Sequence, residues 1–144
     1  MKKRRKAREA ALQILYQKDM TGDWTPHIPE EYWEENPCDA EIMEFTAQLV
    51  QGTVKDLKKI DSLIEKSSEN WLVSRMGVVD RNILRMAVHE MTAGYGVPVK
   101  VTLDEAIEIS KRFGMEDSSK FINGVLNKIK EDMEEDNAQD RHRP

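Results

Sequence analysis

Apolar residues along this chain return every three or four positions and almost nowhere every two, which is the period of helices rather than strands. Within residues 3–20, Ala7, Ala10, Ala11, Ile14 and Leu15 form one stripe, with small alanines that let another helix come close. Leu12, Tyr16 and Arg5 project from roughly the opposite side, so this helix is either buried on two sides or meets a partner with the second. Thr21-Gly22-Asp23 ends it through a glycine cap. Pro26, Pro29 and Pro37 then interrupt Trp24, Tyr32 and Trp33, predicting a long loop pinned by its aromatics, with room for one helical turn at Glu30–Glu34. From Asp39 to about Ser67, Ile42, Phe45, Leu49, Val50, Thr53, Leu57, Ile60 and Ile64 make the longest helical pattern. Gly52 in its middle marks close packing or a bend. Trp71-Leu72-Val73 reads as a short connector.

The next helix spans Val78 to Ala93, with Ile83, Leu84, Ala87, Val88 and Met91 facing inward and His89 off the stripe, predicted exposed. Asp80 is a first-turn carboxylate there, serving either the free N–H groups or a charged partner. After Gly94 and Gly96 comes an extended Val97–Val101 connector, and Thr102-Leu103-Asp104-Glu105 reads as a capping box. Leu103, Ala106, Ile107, Ser110 and Phe113 carry that helix to Gly114. Asp117 or Ser118 opens the last helix, where Ile122, Val125, Leu126, Ile129 and Met133 face inward and Phe121, beside Lys120, falls to the side. The count is five long helices and one or two short ones, with no strand: an all-α chain.

Composition narrows the chemistry. A chain of 144 residues fits one domain with a real core. The lone Cys38 excludes an internal disulfide framework and suits a reducing cytosol, and the scattered His27, His89 and His142 offer no metal-ligand spacing. No apolar run approaches the roughly 18 residues of a membrane span, and no signal peptide is expected. No Gly-rich phosphate loop, nucleophile elbow or metal motif occurs, so neither an enzyme nor a cofactor is expected. The net charge of −5 hides a polarised chain. Lys2, Lys3, Arg4, Arg5, Lys6 and Arg8 crowd the first eight residues, whereas Glu131, Asp132, Glu134, Glu135, Asp136 and Asp140 close the chain. Such an arm neutralises phosphates. Phe121 and Tyr16 are candidates for stacking on bases, and the free N–H groups opening the last helix, with Lys120, for a phosphate. One joint site requires Arg4–Arg8 to lie near Lys120 and Phe121.

These residues fall into three blocks: Arg4-Arg5-Lys6-Ala7-Arg8 through Tyr16; Asp80-Arg81-Asn82-Ile83-Leu84-Arg85 with Glu90; and Val97-Pro98, Asp104–Glu108, Phe113-Gly114, Glu116-Asp117-Ser118 and Lys120-Phe121-Ile122-Asn123-Gly124-Val125-Leu126. In this order they resemble the NusB family of bacterial transcription antitermination factors. The resemblance implies about seven helices in two small bundles packed side by side. That is one NusB-like domain over residues 1–144, with an N-terminal bundle of about 3–67, a C-terminal bundle of about 70–133 and an acidic tail of 131–144. It implies a cytoplasmic factor that binds the boxA element of nascent RNA together with the ribosomal protein NusE. The two join an RNA polymerase elongation complex on ribosomal RNA operons. Lys3, Arg4, Arg5, Arg8, Tyr16, Lys120 and Phe121 would bind RNA, with Asp117 in the same turn, and Asp80 and Arg81 would face the protein partner. The Pro26–Pro37 loop, the 39–67 helix and the tail depart from the family pattern. Two other readings remain at this stage: a homodimer through the Leu12/Tyr16 face, and an RNA-binding accessory domain of the kind appended to RNA methyltransferases.

Overall fold

In the computed structural model, which describes residues 2–141, seven α-helices follow one another. They are α1 (Lys2–Thr21), α2 (Glu30–Glu35), α3 (Ala40–Lys55), α4 (Leu57–Ser67), α5 (Val78–Thr92), α6 (Val99–Phe113) and α7 (Ser118–Arg141), with a 3-10 turn at Val73–Arg75. Among the described residues there is no strand, so the all-α class holds. No helix is long and apolar enough to cross a membrane.

The arrangement is built on α5, against which α1, α3, α4, α6 and α7 all pack. Every residue from Asn82 to Met91 is buried. A helix enclosed all round takes its polar side chains inward too, and each must find a partner there. One apolar core runs through the chain, from Leu15 and Leu49 through Ile83 and Leu84 to Ile109, Ile122, Leu126 and Ile129. Of the inward positions expected on α7, Ile122, Val125, Leu126 and Ile129 are buried, while Met133 is half-buried, as is Phe121 beside them. Trp24, Tyr32 and Trp33 pack partly buried against the core and hold the proline-containing loop down.

Four local expectations change. The 39–67 pattern is two helices, broken at Asp56 (φ −105°, ψ 21°). The apolar face of α3 turns to α1 and α5, that of α4 to α5 and α7, and one straight helix cannot serve both. His89 is buried rather than exposed. Its ring lies over Gly52, where a Cβ would come within 2.0 Å of His89 Cε1, and its Nε2 is 2.6 Å from the Tyr95 hydroxyl. Burial pushes the His89 pKa below its ordinary value, which favours the neutral ring. The capping box is not formed. α6 already starts at Val99, and Thr102 and Glu105, both buried, are used by other helices. Finally, α7 does not fade after Met133 but stays helical to Arg141, so Glu134, Glu135 and Asp136 ride exposed on its later turns.

Candidate nucleic-acid interface

The basic arm is the first turns of α1, and its six cations have unequal fates. Arg8 is 3% exposed and pairs in two bonds with Glu90 of α5, Nε to Oε1 at 2.7 Å and Nη2 to Oε2 at 2.8 Å. Thr102 Oγ1 also donates to Glu90 Oε2, and Glu105 of α6 lies 3.5 Å from Arg8 Nη1. Arg5 bonds Glu105 through Nε at 2.7 Å. Two arginines and two carboxylates thus form a charge-balanced cluster that ties the arm to α5 and α6. Lys3 lies against Asp39 and Glu41, and its hydrogen bonds to them, Glu41 first, push its pKa up. The Arg4 guanidinium sits 4.2 Å above the Phe45 ring, a cation–π contact. Lys2, Arg4 and Lys6 are exposed and have no carboxylate partner among the described residues.

About two turns further along α1, Tyr16 is 39% exposed and lines a groove of about 580 Å³. Lys6 and Gln13 share its α1 wall, Tyr32 and Trp33 rise from α2, and Arg112 and Phe113 come from the end of α6. Arg112 stacks over the Phe113 ring at 5.0 Å and bonds Glu9 of α1 at 2.5 Å, fastening α6 to the arm. The sequence reading assigns Phe113 to the core, passes over Arg112, and counts Lys6 in the basic arm without naming it among the RNA-binding residues. The available signal was an aromatic following Lys111-Arg112 just before a helix stop, the same basic–aromatic pairing that marked Lys120-Phe121.

The turn from Gly114 to Asp117 closes tightly. A Cβ on Gly114 would meet Ser118 Oγ at 2.6 Å and the Ser110 carbonyl at 2.8 Å, so only glycine fits. Ser118 Oγ accepts from the Met115 N–H and the Asp117 carbonyl from the Phe121 N–H, so Ser118 and the Asp117 backbone, rather than the Asp117 carboxylate, order the helix start. Asp117, Lys120 and Phe121 line a second groove of about 620 Å³ against the 66–69 turn. No hydrogen bond, ion pair or ring contact among the described residues joins Arg4, Arg5 or Arg8 to Lys120 or Phe121. Arg4 lines a groove with Phe45, Lys120 and Phe121 line the second groove, and the two grooves share no residue.

Asp80 is half-buried in the first turn of α5. Its neighbour Arg81 grips Asp19 of α1 in two bonds at 2.6 and 2.7 Å. Asn82 and Arg85 converge on the same carboxylate, and Arg85 also bonds Asp61 of α4 in two bonds. Burial alone would raise the Asp19 pKa, but the bonds from Arg81 and Asn82 and the two guanidinium charges hold it below its ordinary value.

Comparison with known proteins agrees with this geometry. The sequence profile of the NusB family matches residues 5–131. The transcription antitermination protein NusB of Bacillus cereus (strain B4264) is 47% identical over 131 residues, covering 90% of this chain and 98% of that protein. The fold is similar to that of a solved T. maritima NusB, at 39% identity and a TM-score of 0.77, over 88% of this chain and 89% of that one. It is also similar to a chain in a crystal structure of the antitermination factors NusB and NusE in complex with double-stranded RNA. There the identity is 30% and the TM-score 0.75, over 88% of this chain and 95% of that one.

Proposed function

The chain belongs to the NusB family, and from that membership we propose that it is an RNA-binding transcription antitermination factor that takes the boxA element of nascent RNA together with NusE. It acts in the cytoplasm as one domain, without catalysis of its own, and joins the RNA polymerase elongation complex on ribosomal RNA operons. The observation that carries this reading is the pairing of exposed cations with exposed or half-buried aromatics along the surface. Lys6 and Tyr16 line one groove, Arg112 stacks on Phe113, and Lys120 precedes Phe121. Cations neutralise phosphates whatever the sequence, and aromatic faces accept unstacked bases.

Among the residues expected to bind RNA, Lys3, Arg4, Tyr16, Asp117, Lys120 and Phe121 reach the surface, and Arg5 does so in part. Arg8 supports them from below by anchoring the arm. Asp80 and Arg81 are proposed for the protein partner, with Arg81 held in place by Asp19. A homodimer through the Leu12/Tyr16 face is the weaker reading, because Leu12 is buried within the chain. The RNA methyltransferase reading is weaker too, since this chain matches antitermination proteins over nearly their whole length.

A gel-shift titration with boxA RNA and a scrambled control, each with and without NusE, tests the proposal. Preferential binding of boxA that tightens with NusE is expected, and Phe121→Ala should cost about 1–3 kcal/mol where a base stacks. Equal binding of the two RNAs would overturn it.

A further inference from the structure

In α4 the two signs of charge are separated. Ile60 and Ile64 are buried, and the carboxylates beside them are engaged by the rest of the chain. Asp61 receives two bonds from Arg85 of α5, at 2.8 and 2.9 Å, and Glu65 Oε2 accepts the Val73 N–H at 2.8 Å. What faces outward is Lys58, Lys59, Ser62 and Lys66, all exposed. Lys58, Ser62 and Lys66 recur every four residues, so they stand one above another along a single face. At 1.5 Å per residue that strip is about 12 Å long. Lys55, exposed at the end of α3, continues it across the break at Asp56.

The other helices treat their exposed lysines differently. Lys100, Lys111 and Lys128 each have a carboxylate three or four residues away, in Asp104, Glu108 and Asp132. On α4 the position four residues from both Lys58 and Lys66 is the neutral Ser62. Among the described residues no carboxylate lies within 4.0 Å of Lys55, Lys58, Lys59 or Lys66, and the exposed Asp56 pairs with none of them. The arrangement costs the free protein stability. Lys58 and Lys59 sit in the first turn of α4, where a cation opposes the helix dipole, and lysines three or four residues apart repel. The strip also lacks the apolar centre of a protein interface, since Leu57 and Leu63 are half-buried and only lysine and serine stand clear. One end of it, Lys66, lines the groove that holds Lys120 and Phe121.

We propose that the outer face of α4 carries the sugar–phosphate backbone of RNA flanking boxA, which runs from Lys66 past Lys59 and Lys58 toward Lys55. The contact is with phosphates alone, so it is indifferent to base sequence and lengthens the bound stretch without altering boxA recognition. The proposal rests on the RNA-binding reading above and adds Lys55, Lys58 and Lys59 to it.

Fluorescence anisotropy over a range of potassium chloride concentrations tests this, comparing boxA RNA with the same RNA extended by an unpaired uridine tract on its 5′ or its 3′ side. One of the two extensions should tighten binding and steepen the slope of log affinity against log salt by roughly 2, at about 0.7 for each phosphate held by Lys55, Lys58 and Lys59. The triple variant Lys55→Gln, Lys58→Gln, Lys59→Gln should lose that gain and bind unextended boxA like the unmodified protein. Lys58→Glu supplies a second readout. It should raise the melting temperature, because a carboxylate suits the first turn of a helix, while the gain from the extension falls. If neither extension tightens binding, or if the triple variant keeps the gain, the α4 path is wrong and the RNA-binding reading stands. If the triple variant loses only the tightening that NusE brings, the strip faces the protein partner and the RNA path is equally wrong. Absence of boxA binding by the unmodified protein, with or without NusE, overturns both readings.

Discussion

Arg8 shows how far a charge run can mislead about individual cations. It lies among the six that suggest phosphate binding, yet its guanidinium is enclosed by Glu90 and Glu105 with Phe45 beside it, 5.6 Å from guanidinium carbon to ring centroid. Removing one side of a buried ion pair leaves the other charge stranded. Arg8→Ala should therefore cost about 3–5 kcal/mol of folding stability. Lys6→Ala, on the exposed side of the same helix, should change stability by no more than about 0.5 kcal/mol. Urea unfolding of the two variants measures the contrast, and an Arg8→Ala protein as stable as the parent would mean that the cluster is ornamental. Loss of RNA binding in Arg8→Ala would consequently report a loosened arm as much as a lost contact, so Lys6 is the cleaner probe of the arm's charge.

Between helices, the instructive contact is the crossing of α3 and α5. The mid-helix glycine was readable as a close approach, and the stripes of α1 and α7 were readable from their spacing, because each of those helices buries one side and wets the other. α5 was not readable in that way. A helix wrapped on every side has no outer face, so His89 and Glu90, off the apolar stripe, end up buried along with Ile83. The break at Asp56 was hidden for a similar reason, since the apolar positions continue across it and only the partners change. The misassigned capping box is a further case, its Thr102 and Glu105 being drawn into the cluster around Arg5, Arg8 and Glu90. At the crossing itself, Gly52→Ala would set a methyl carbon against the His89 ring, which the Tyr95 hydroxyl holds in place. The expected loss is about 1–3 kcal/mol, as for other overpacked interiors. His89→Ala in the same chain should return part of it, because the two positions share one space and their effects cannot add. Thermal melts of both single variants and the double variant read the coupling, and strict additivity would exclude the proposed clash.

Across the whole molecule, charge is distributed so that only part of the basic surface is available to an anion. Lys3, Arg5 and Arg8 are bound to carboxylates, Lys128 is 3.4 Å from Asp132, and the exposed end of α7 is acidic. On the arm and beside the α7 groove, the cations without such partners among the described residues are Lys2, Arg4, Lys6, Lys66 and Lys120. This inventory fixes a quantity that sequence alone could not supply, the number of phosphates these two patches neutralise without first breaking the protein's ion pairs. Single-stranded nucleic acid contributes roughly 0.7 to the salt slope per neutralised phosphate, so five cations set a slope of log affinity against log salt of about −3.5. If binding also recruited Lys3, Arg5 and Lys128, the slope would steepen to about −5.6 by the same rule. Titrations of single-stranded boxA RNA over a range of potassium chloride concentrations distinguish the two. A slope near the shallower value that flattens by roughly 0.7 in Lys66→Gln, and again in Lys6→Gln, would place RNA on both patches at once. A slope insensitive to Lys66 but sensitive to Lys6 would confine RNA to the arm and the Tyr16 groove. The 114–117 turn would then separate two surfaces rather than join them.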